Sequence, residues 1–409
     1  MRIIYLSTVC SQKRFDQLVS EGRVNSSFQN QKFHHLILEG MSLADVQDVR
    51  VVSYYAVLDK SVSSFQEEFE DEEGITYHYP SFTKKPIDGF LSRIMTTYKA
   101  IKKWYNKDSI IICNVMNFEA CIAARIFRMF HKIKIIAIVA DVPGKTSKVF
   151  SINKELPVYK RYLSLVFVKI KDWICIRGKN NYDAYVLLTK AMNEVINLRK
   201  RPYMVMEGLS DIKSRNFTTA SVSKNEKFTI MYAGGIKKEY GAELMVEAFR
   251  QLPYDDMELH VYGYGSYVKK LEEISKEDPR IKYFGTKSNK EIVAFQKKAH
   301  LLINPRPTNQ EFVKYSFPSK IIECMASGTP LLTTVIPGMP EEYYPYVFFI
   351  ENECLDGYVS ALKDTVLIKQ SELSKKGEAA RNFIFDKKNN IVQAGRILAF
   401  SEKICYCEK

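Results

Sequence analysis

FTIMYAGG at 228–235, GAELMVEAFRQL at 241–252 and MELHVYGYG at 257–265 form the stretch on which the fold turns. The first and third are short β-branched and aromatic runs that end in glycine. The middle one has the apolar spacing of a helix, so together they read strand, helix, strand. The pattern continues outward with a helix through Ile274, RIKYFG at 280–285, a helix from Asn289, HLLINPR at 300–306, a helix from Phe317 and TPLLTTV at 329–335. The first half has the same rhythm in IIYLST (3–8), VRVVSYYAV (49–57), SIIICNV (109–115), KIIAIVAD (134–141) and DAYVLLT (183–189). Strands spaced by helices require parallel pairing, with both faces of the sheet covered. The expected class is α/β, with two Rossmann-like doubly wound domains.

At 409 residues the chain is long for one core and natural for two. The polar run KSRNFTTASVSKNE (213–226) reads as a connector. The predicted division is therefore 1–212, a connector at 213–226, a second domain at 227–385, and a terminal helix at 386–409 that crosses back to the first domain. Eight scattered cysteines without a CxxC pair suggest neither a zinc site nor a disulfide framework, and fit a reducing cytoplasm. IIAIVA at 135–140, the longest strongly apolar run, falls short of the roughly 18 residues of a membrane span. The net charge of +13 suits an anionic substrate, nucleic acid or an anionic membrane equally. Residues 158–180 and 93–107 interleave basic with aromatic and aliphatic residues, the composition of an interfacial segment on the inner face of a membrane. The alternative for 158–180 is a buried helix with a solvated basic edge. No nucleic-acid-binding motif accompanies the charge.

NPRPTNQEFVKYSFPSKIIECMASGTP (304–330) is the richest stretch in polar chemistry. A strand ends, a loop follows, and a helix begins at Ser316, Phe317, Pro318 and Ser319, with Ser316 as N-cap and proline in the first turn. The free N–H groups of such a turn attract phosphate. Lys320 projects from that turn, and Arg306 adds a second positive charge across the loop. Glu323 stands one turn deeper, where its carboxylate suits the hydroxyls of a ribose; the plainer alternative is an i,i+3 salt bridge with Lys320. Gly234, Gly235, Gly263 and Gly265 end two strands at one edge, where backbone could approach a ligand closely.

These pieces, YAGGIKKEYGAELMVEAF, LHVYGYGS, RIKYFGT and above all YSFPSKIIECMASGTPLL, resemble the donor-binding domain of family-four glycosyltransferases over residues 228–350. That retaining GT-B family builds bacterial surface polysaccharides. The resemblance implies two domains facing across a cleft, a nucleotide-diphosphate sugar as donor substrate, no metal and no cofactor. It implies Glu323 as the second acid of the E-x(7)-E motif, on the ribose, with the Ser316–Lys320 turn facing the diphosphate. It also places Phe284 and Thr286 beside the nucleobase, and Gly234 and Gly235 near the phosphates. Two positions depart from the family. The first motif acid falls at Tyr315, with Glu311 as the substitute, and the family's basic pair falls at Gly235 and Tyr240. Lys237 or Lys238, Arg306 and Lys320 are then the cations left for the diphosphate.

In the first half, SSFQNQKFHHLILEG (26–40) offers Gln29, Asn30, Gln31 and His34 to an acceptor, and Asp141 ends a strand where it could orient the acceptor hydroxyl. A turn-forming aspartate and surface histidines are the plainer alternatives. By resemblance the acceptor is a glycan or a polyprenyl-diphosphate-linked sugar. A non-catalytic partner of another transferase and a sugar-nucleotide epimerase are the rival functions.

Overall fold

A computed structural model describes residues 1–23, 28–44, 48–54, 64–83, 86–142, 162, 166, 182–216 and 223–406. It divides into two compact units, Met1–Glu207 with Asn390–Lys409, and Gly208–Asn389. The first therefore ends five residues before 212, and the terminal helix returns to it from Asn390.

The first unit contains β1 (Arg2–Ser7), α1 (Gln12–Ser20), α2 (Phe28–Leu43), β2 (Val49–Ser53), β3 (Ser64–Phe65), β4 (Glu68–Glu72), β5 (Ile75–Tyr79), β6 (Phe82–Thr83), α3 (Pro86–Trp104), β7 (Ser109–Asn114), α4 (Phe118–Phe130), β8 (Lys134–Val139), β9 (Ala184–Leu187), α5 (Met192–Ile196) and β10 (Tyr203–Val205). Its sheet runs β10-β9-β8-β7-β1-β2-β5-β4, parallel except for β4, which pairs antiparallel with β5. β7 is buried at all six positions, as the isoleucine run requires of a strand covered on both sides. β4 and β5 were not anticipated. EFEDE is too polar to read as a strand, and it serves at an edge, where charge discourages further pairing.

The second unit contains β11 (Phe228–Gly235), α6 (Ala242–Arg250), β12 (Met257–Tyr264), α7 (Val268–Glu277), β13 (Ile281–Tyr283), α8 (Asn289–Lys298), β14 (Leu301–Asn304), α9 (Ser319–Ser327), β15 (Leu331–Thr334), β16 (Phe348–Ile350), α10 (Leu355–Val366) and α11 (Gln370–Lys387). Its six strands run β13-β12-β11-β14-β15-β16, and every pair is parallel. In chain order that is 3-2-1-4-5-6, the doubly wound arrangement. Leu259, Val261, Leu301 and Leu332 pack with Val246, Phe249 and Leu362 on one side of the sheet. Met231, Leu302 and Leu331 pack with Ile321, Met325 and Ile384 on the other.

The last helix, α12 (Asn390–Tyr406), packs against α2 in the first unit. Gly40 permits this. A Cβ there would lie 2.1 Å from the Asn390 carbonyl oxygen. Beside it, Asn390 Nδ2 donates to Glu39 Oε2 at 2.8 Å between buried side chains.

Candidate active site

In a doubly wound sheet, ligands bind outside the carboxyl ends of the strands where the winding reverses. In the second unit that point lies between β11 and β14. Gly234 and Gly235 end β11, and Pro305 and Arg306 follow β14.

The loop after β14 is held from several sides. Tyr358 Oη donates to the Pro305 carbonyl at 2.8 Å, and Thr334 Oγ1 donates to the Arg306 carbonyl at 2.6 Å. The Thr308 N–H donates to Glu353 Oε2 at 2.8 Å. Gly241, at φ +82°, lets α6 start against this loop, since a Cβ there would sit 1.8 Å from the Pro305 oxygen. A loop fixed in this way presents Arg306 in one place.

The Arg306 guanidinium lies 5.2 Å from the centre of the Phe312 ring and 5.8 Å from that of Tyr240. Nη2 donates to Ser316 Oγ at 3.4 Å, and the buried Nε has no hydrogen-bond partner. Among the described residues no carboxylate pairs with it. Burial lowers its pKa from the ordinary arginine value. A half-buried cation held between rings, with a donor to spare, is arranged to take an anion.

α9 begins at Ser319 with Pro318, not Ser316, as its N-cap. Ser316 is extended and ends a 3-10 turn at Glu311–Tyr315, and proline at 318 disfavours the helical conformation in Phe317, the residue before it, so the helix starts only after the proline. The proline makes no side-chain cap, so the Ser319 and Lys320 N–H groups form the open end of the helix. Lys320 lies in the first turn, half-exposed, with Nζ 3.6 Å from Glu323 Oε2. The i,i+3 pair is thus present, and it holds both side chains on the same face as the open turn. Phe317 is a correction: it is buried against Tyr343 in the core, because the extended segment turns it inward, and it is removed from the ligand-facing set. The Tyr315 side chain is also buried. Cys324, one turn along, is buried with its thiol pushed up to about 12 and is no nucleophile.

The glycines serve close packing of backbone on backbone. A Cβ at Gly263 (φ +129°) would meet the Gly234 oxygen at 1.9 Å, and one at Gly265 would meet the Ile236 oxygen at 2.1 Å. Gly234 and Gly235 are approached by Tyr232 and Tyr240, and Tyr232 Oη donates to the Gly235 carbonyl at 2.9 Å. At Gly263 and Gly265 the close approach is of the protein's own backbone, and at Gly234 and Gly235 of tyrosine side chains. Tyr240, which sequence reasoning treated only as a missing cation, is instead a wall beside Arg306. Lys238 pairs with Glu243 at 2.5 Å on the surface. Lys237 lies 5.6 Å from the Tyr240 ring centre. Past β13, Phe284 stacks on Tyr262 at 5.0 Å and 14° yet stays 40% exposed, and Thr286 is exposed beside it. The His260 ring also meets Phe284 edge-on at 4.9 Å, and the exposed part of the Phe284 ring can take a flat ligand. Glu311 begins the 3-10 turn and is exposed.

In the first unit the winding reverses between β1 and β7. Asn30 lies at this point. Its Nδ2 donates to Thr8 Oγ1 at 3.1 Å, and Asn114 Nδ2 donates to its Oδ1 at 3.5 Å. Asn117 caps α4 and donates to the Ser7 carbonyl at 3.0 Å. Gln31 and His34, read from sequence as acceptor-binding, are corrected. The Gln31 carboxamide pairs with the backbone of Cys10 through bonds of 2.7 and 3.0 Å, and His34 is fully buried with Nδ1 2.6 Å from Tyr5 Oη. The helical spacing of α2 turns both toward the sheet. Gln29 is exposed, and Asp141 follows β8 half-buried. Residues 158–180, apart from Tyr162 and Val166, lie outside the described residues.

Burial holds the His34 pKa down to about 3, against 6.5 for a free histidine. The unfolded chain therefore binds a proton that the folded chain refuses, and stability present above pH 6.5 falls as pH drops toward 3. Between pH 7.5 and pH 5 this one group is expected to cost about 2 kcal/mol. Urea unfolding of the wild type and of His34→Asn at both pH values measures it. The variant is expected to lose less stability on acidification, with a residual slope from His78, His260 and His300, which burial lowers as well. Equal slopes would remove His34 as the source.

Among the described residues, no group of three His, Cys, Asp or Glu could hold a metal ion, and no helix is long and apolar enough to cross a membrane. Residues 214–383 match the family model of glycosyl transferases group 1. No curated protein matches the sequence. Among solved structures, the chain is similar to sucrose-phosphate synthase from Thermosynechococcus elongatus (TM-score 0.63, 12% identity, 100% of both chains). It is also similar to HepE of Anabaena in complex with UDP (TM-score 0.61, 12% identity, 98% of this chain and 100% of that one). A lipopolysaccharide outer core galactosyltransferase aligns with TM-score 0.61 and 14% identity over 98% of this chain and 100% of its own. Two Rossmann-like units matched over this length have the GT-B fold, and the second carries the glycosyl transferases group 1 segment.

Proposed function

We propose that this GT-B chain, with its glycosyl transferases group 1 segment at 214–383, is a retaining glycosyltransferase of the family-four, hexosyltransferase type. It moves a sugar from a nucleotide-diphosphate donor to a glycan or polyprenyl-diphosphate-linked acceptor in surface polysaccharide synthesis, at the cytoplasmic face of a membrane. The observation that carries this reading is the half-buried Arg306, unpaired with any carboxylate among the described residues, at the reversal point of the second sheet, with Lys320 and the open turn of α9 on the same stretch of chain. Arg306 and Lys320 hold the diphosphate, Glu323 takes the ribose, and the exposed face of Phe284 takes the base. The complex of HepE with UDP supports a uridine nucleotide.

In the reaction the acceptor hydroxyl forms its bond to the anomeric carbon on the face from which the diphosphate leaves, and the hydroxyl proton passes to the departing phosphate oxygen. Arg306 and Lys320 stabilise the negative charge that grows on that diphosphate. Fixed positive donors of this kind are each worth a factor of roughly 100–1000 in rate. Asn30, Gln29 and Asp141 in the first unit serve the acceptor, with Asp141 orienting its hydroxyl.

A thermal-shift series with UDP, GDP, ADP and their sugars tests the donor reading, since a ligand that binds only the folded state raises the melting temperature. UDP and a UDP-sugar are expected to raise it, and EDTA is expected to leave both that shift and donor turnover unchanged. Loss of turnover in EDTA, restored by manganese or magnesium, would overturn metal independence. A shift with no turnover of any donor would favour a non-catalytic partner.

A further inference from the structure

α3 and α4 lie side by side in the first unit. Tyr98 meets Phe127 at 5.3 Å, Phe90 meets Phe118 at 5.5 Å, and Arg93 pairs with Glu119 at 2.6 Å. The helices bury Thr97, Ile101, Ala123 and Phe127. On the outer side they leave large apolar residues in solvent. Leu91 is 53% exposed and Met95 60% on α3; Met129 is 78% exposed and Phe130 71% on α4, with Ile126 beside them. Leu91 and Met95 are four apart, and Ile126, Met129 and Phe130 are three and four apart, so each set shares one helix face. Scattered exposed apolar residues need no explanation, but five gathered on the exposed faces of two helices packed side by side do.

Lysines edge that group. Lys99 and Lys102 continue the Leu91–Met95 face by four and seven residues from Met95, and Lys132 follows the end of α4; all three are exposed. None has an ion pair among the described residues. From Gly89 to Lys107 the chain carries no acid, and Glu119 on α4 is already held by Arg93. An apolar surface wants burial, and an uncompensated positive rim wants an anionic partner. A bilayer with acidic headgroups supplies both, with aliphatic and aromatic side chains in the acyl boundary and ammonium groups at the phosphates.

We infer that the outer face of the α3–α4 pair, through Leu91, Met95, Ile126, Met129 and Phe130 with Lys99, Lys102 and Lys132, docks this protein on an anionic lipid surface. The inference rests on the membrane-associated reading above and is independent of the donor site.

Flotation of the full chain with vesicles tests it, using phosphatidylcholine alone and phosphatidylcholine with phosphatidylglycerol, at low and high salt. The wild type is expected to float with the anionic vesicles and to be released as salt rises. Met129→Ser/Phe130→Ser is expected to partition at least roughly tenfold more weakly, and Lys99→Gln/Lys102→Gln/Lys132→Gln roughly a hundredfold at low salt. Both variants are expected to keep the UDP-induced thermal shift, which shows that they are folded. Wild type that floats together with variants that float equally would overturn this face and leave membrane association standing. Wild type that never floats would overturn both. A concentration-dependent dimer of the wild type in ultracentrifugation, lost in Met129→Ser/Phe130→Ser with no vesicle binding, would assign the face to a second copy of the chain and overturn the lipid reading.

Discussion

Arg306→Ala is expected to lower donor turnover on the order of a thousandfold and to abolish the UDP-induced thermal shift, with the protein still folded. The reasoning is electrostatic. The half-buried guanidinium lies between Tyr240 and Phe312, and its buried Nε has no protein acceptor. In such surroundings a cation interacts far more strongly with a phosphate than it would in solution, and its position is fixed before the ligand arrives. Arg306→Lys is the informative control. It keeps the charge but loses the planar fork and the stacking on two rings, so it is expected to recover only a small part of the lost rate. Melting temperatures of the free variants separate this from a folding defect: removing a buried cation that lacks a counterion is expected to leave the fold intact or slightly more stable. Near-normal turnover in Arg306→Ala would move the diphosphate away from the loop after β14.

Lys320→Ala is expected to lower turnover by at least roughly a hundredfold, while Glu323→Ala mainly raises the KM for the donor. The two side chains form an i,i+3 pair at 3.6 Å, half-exposed, which is worth about 0.2–0.5 kcal/mol to a helix. Stability therefore gives them little reason to be where they are, and their kinetic effects are expected to differ in kind. In the proposed role, loss of Lys320 removes a charge that acts as the diphosphate leaves, and so is expected to act on kcat. In the proposed role, loss of Glu323 removes an acceptor for ribose hydroxyls that acts equally before and during reaction, and so is expected to act on binding. Lys320→Arg, longer and flatter, is expected to fall between wild type and alanine. If both alanine variants turn over normally and lose only a few tenths of a kcal/mol, the pair is an ordinary surface salt bridge and α9 does not hold the diphosphate.

The sequence by itself determined the doubly wound class, because parallel strands buried on both faces must be nearly continuous runs of aliphatic residues. SIIICN, KIIAIV and FTIMYAGG are legible for that reason. It also determined that the loop after β14 and the start of α9 carry Arg306, Lys320 and Glu323, since spacing along one chain fixes which turn of a helix a residue occupies. Only the tertiary structure decided which side of an element each residue faces. Gln31 and His34 lie in a polar-looking segment, yet the helix turns them into the sheet, where the Cys10 backbone takes both ends of the Gln31 amide and the Tyr5 hydroxyl meets Nδ1 of His34. Phe317 stands in the most distinctive run of the chain and is core. The glycines announced close approach, but what approaches Gly263 and Gly265 in the fold, the carbonyls of Gly234 and Ile236, depends on neighbouring segments that local spacing does not report. The edge strand EFEDE was hidden because its pairing is set by β5 and not by its own pattern. The surroundings of Arg306 were hidden for the same kind of reason. Tyr240, Phe312, Thr334 and Tyr358 come from four separate parts of the second unit, and no local spacing can report that they meet at one loop.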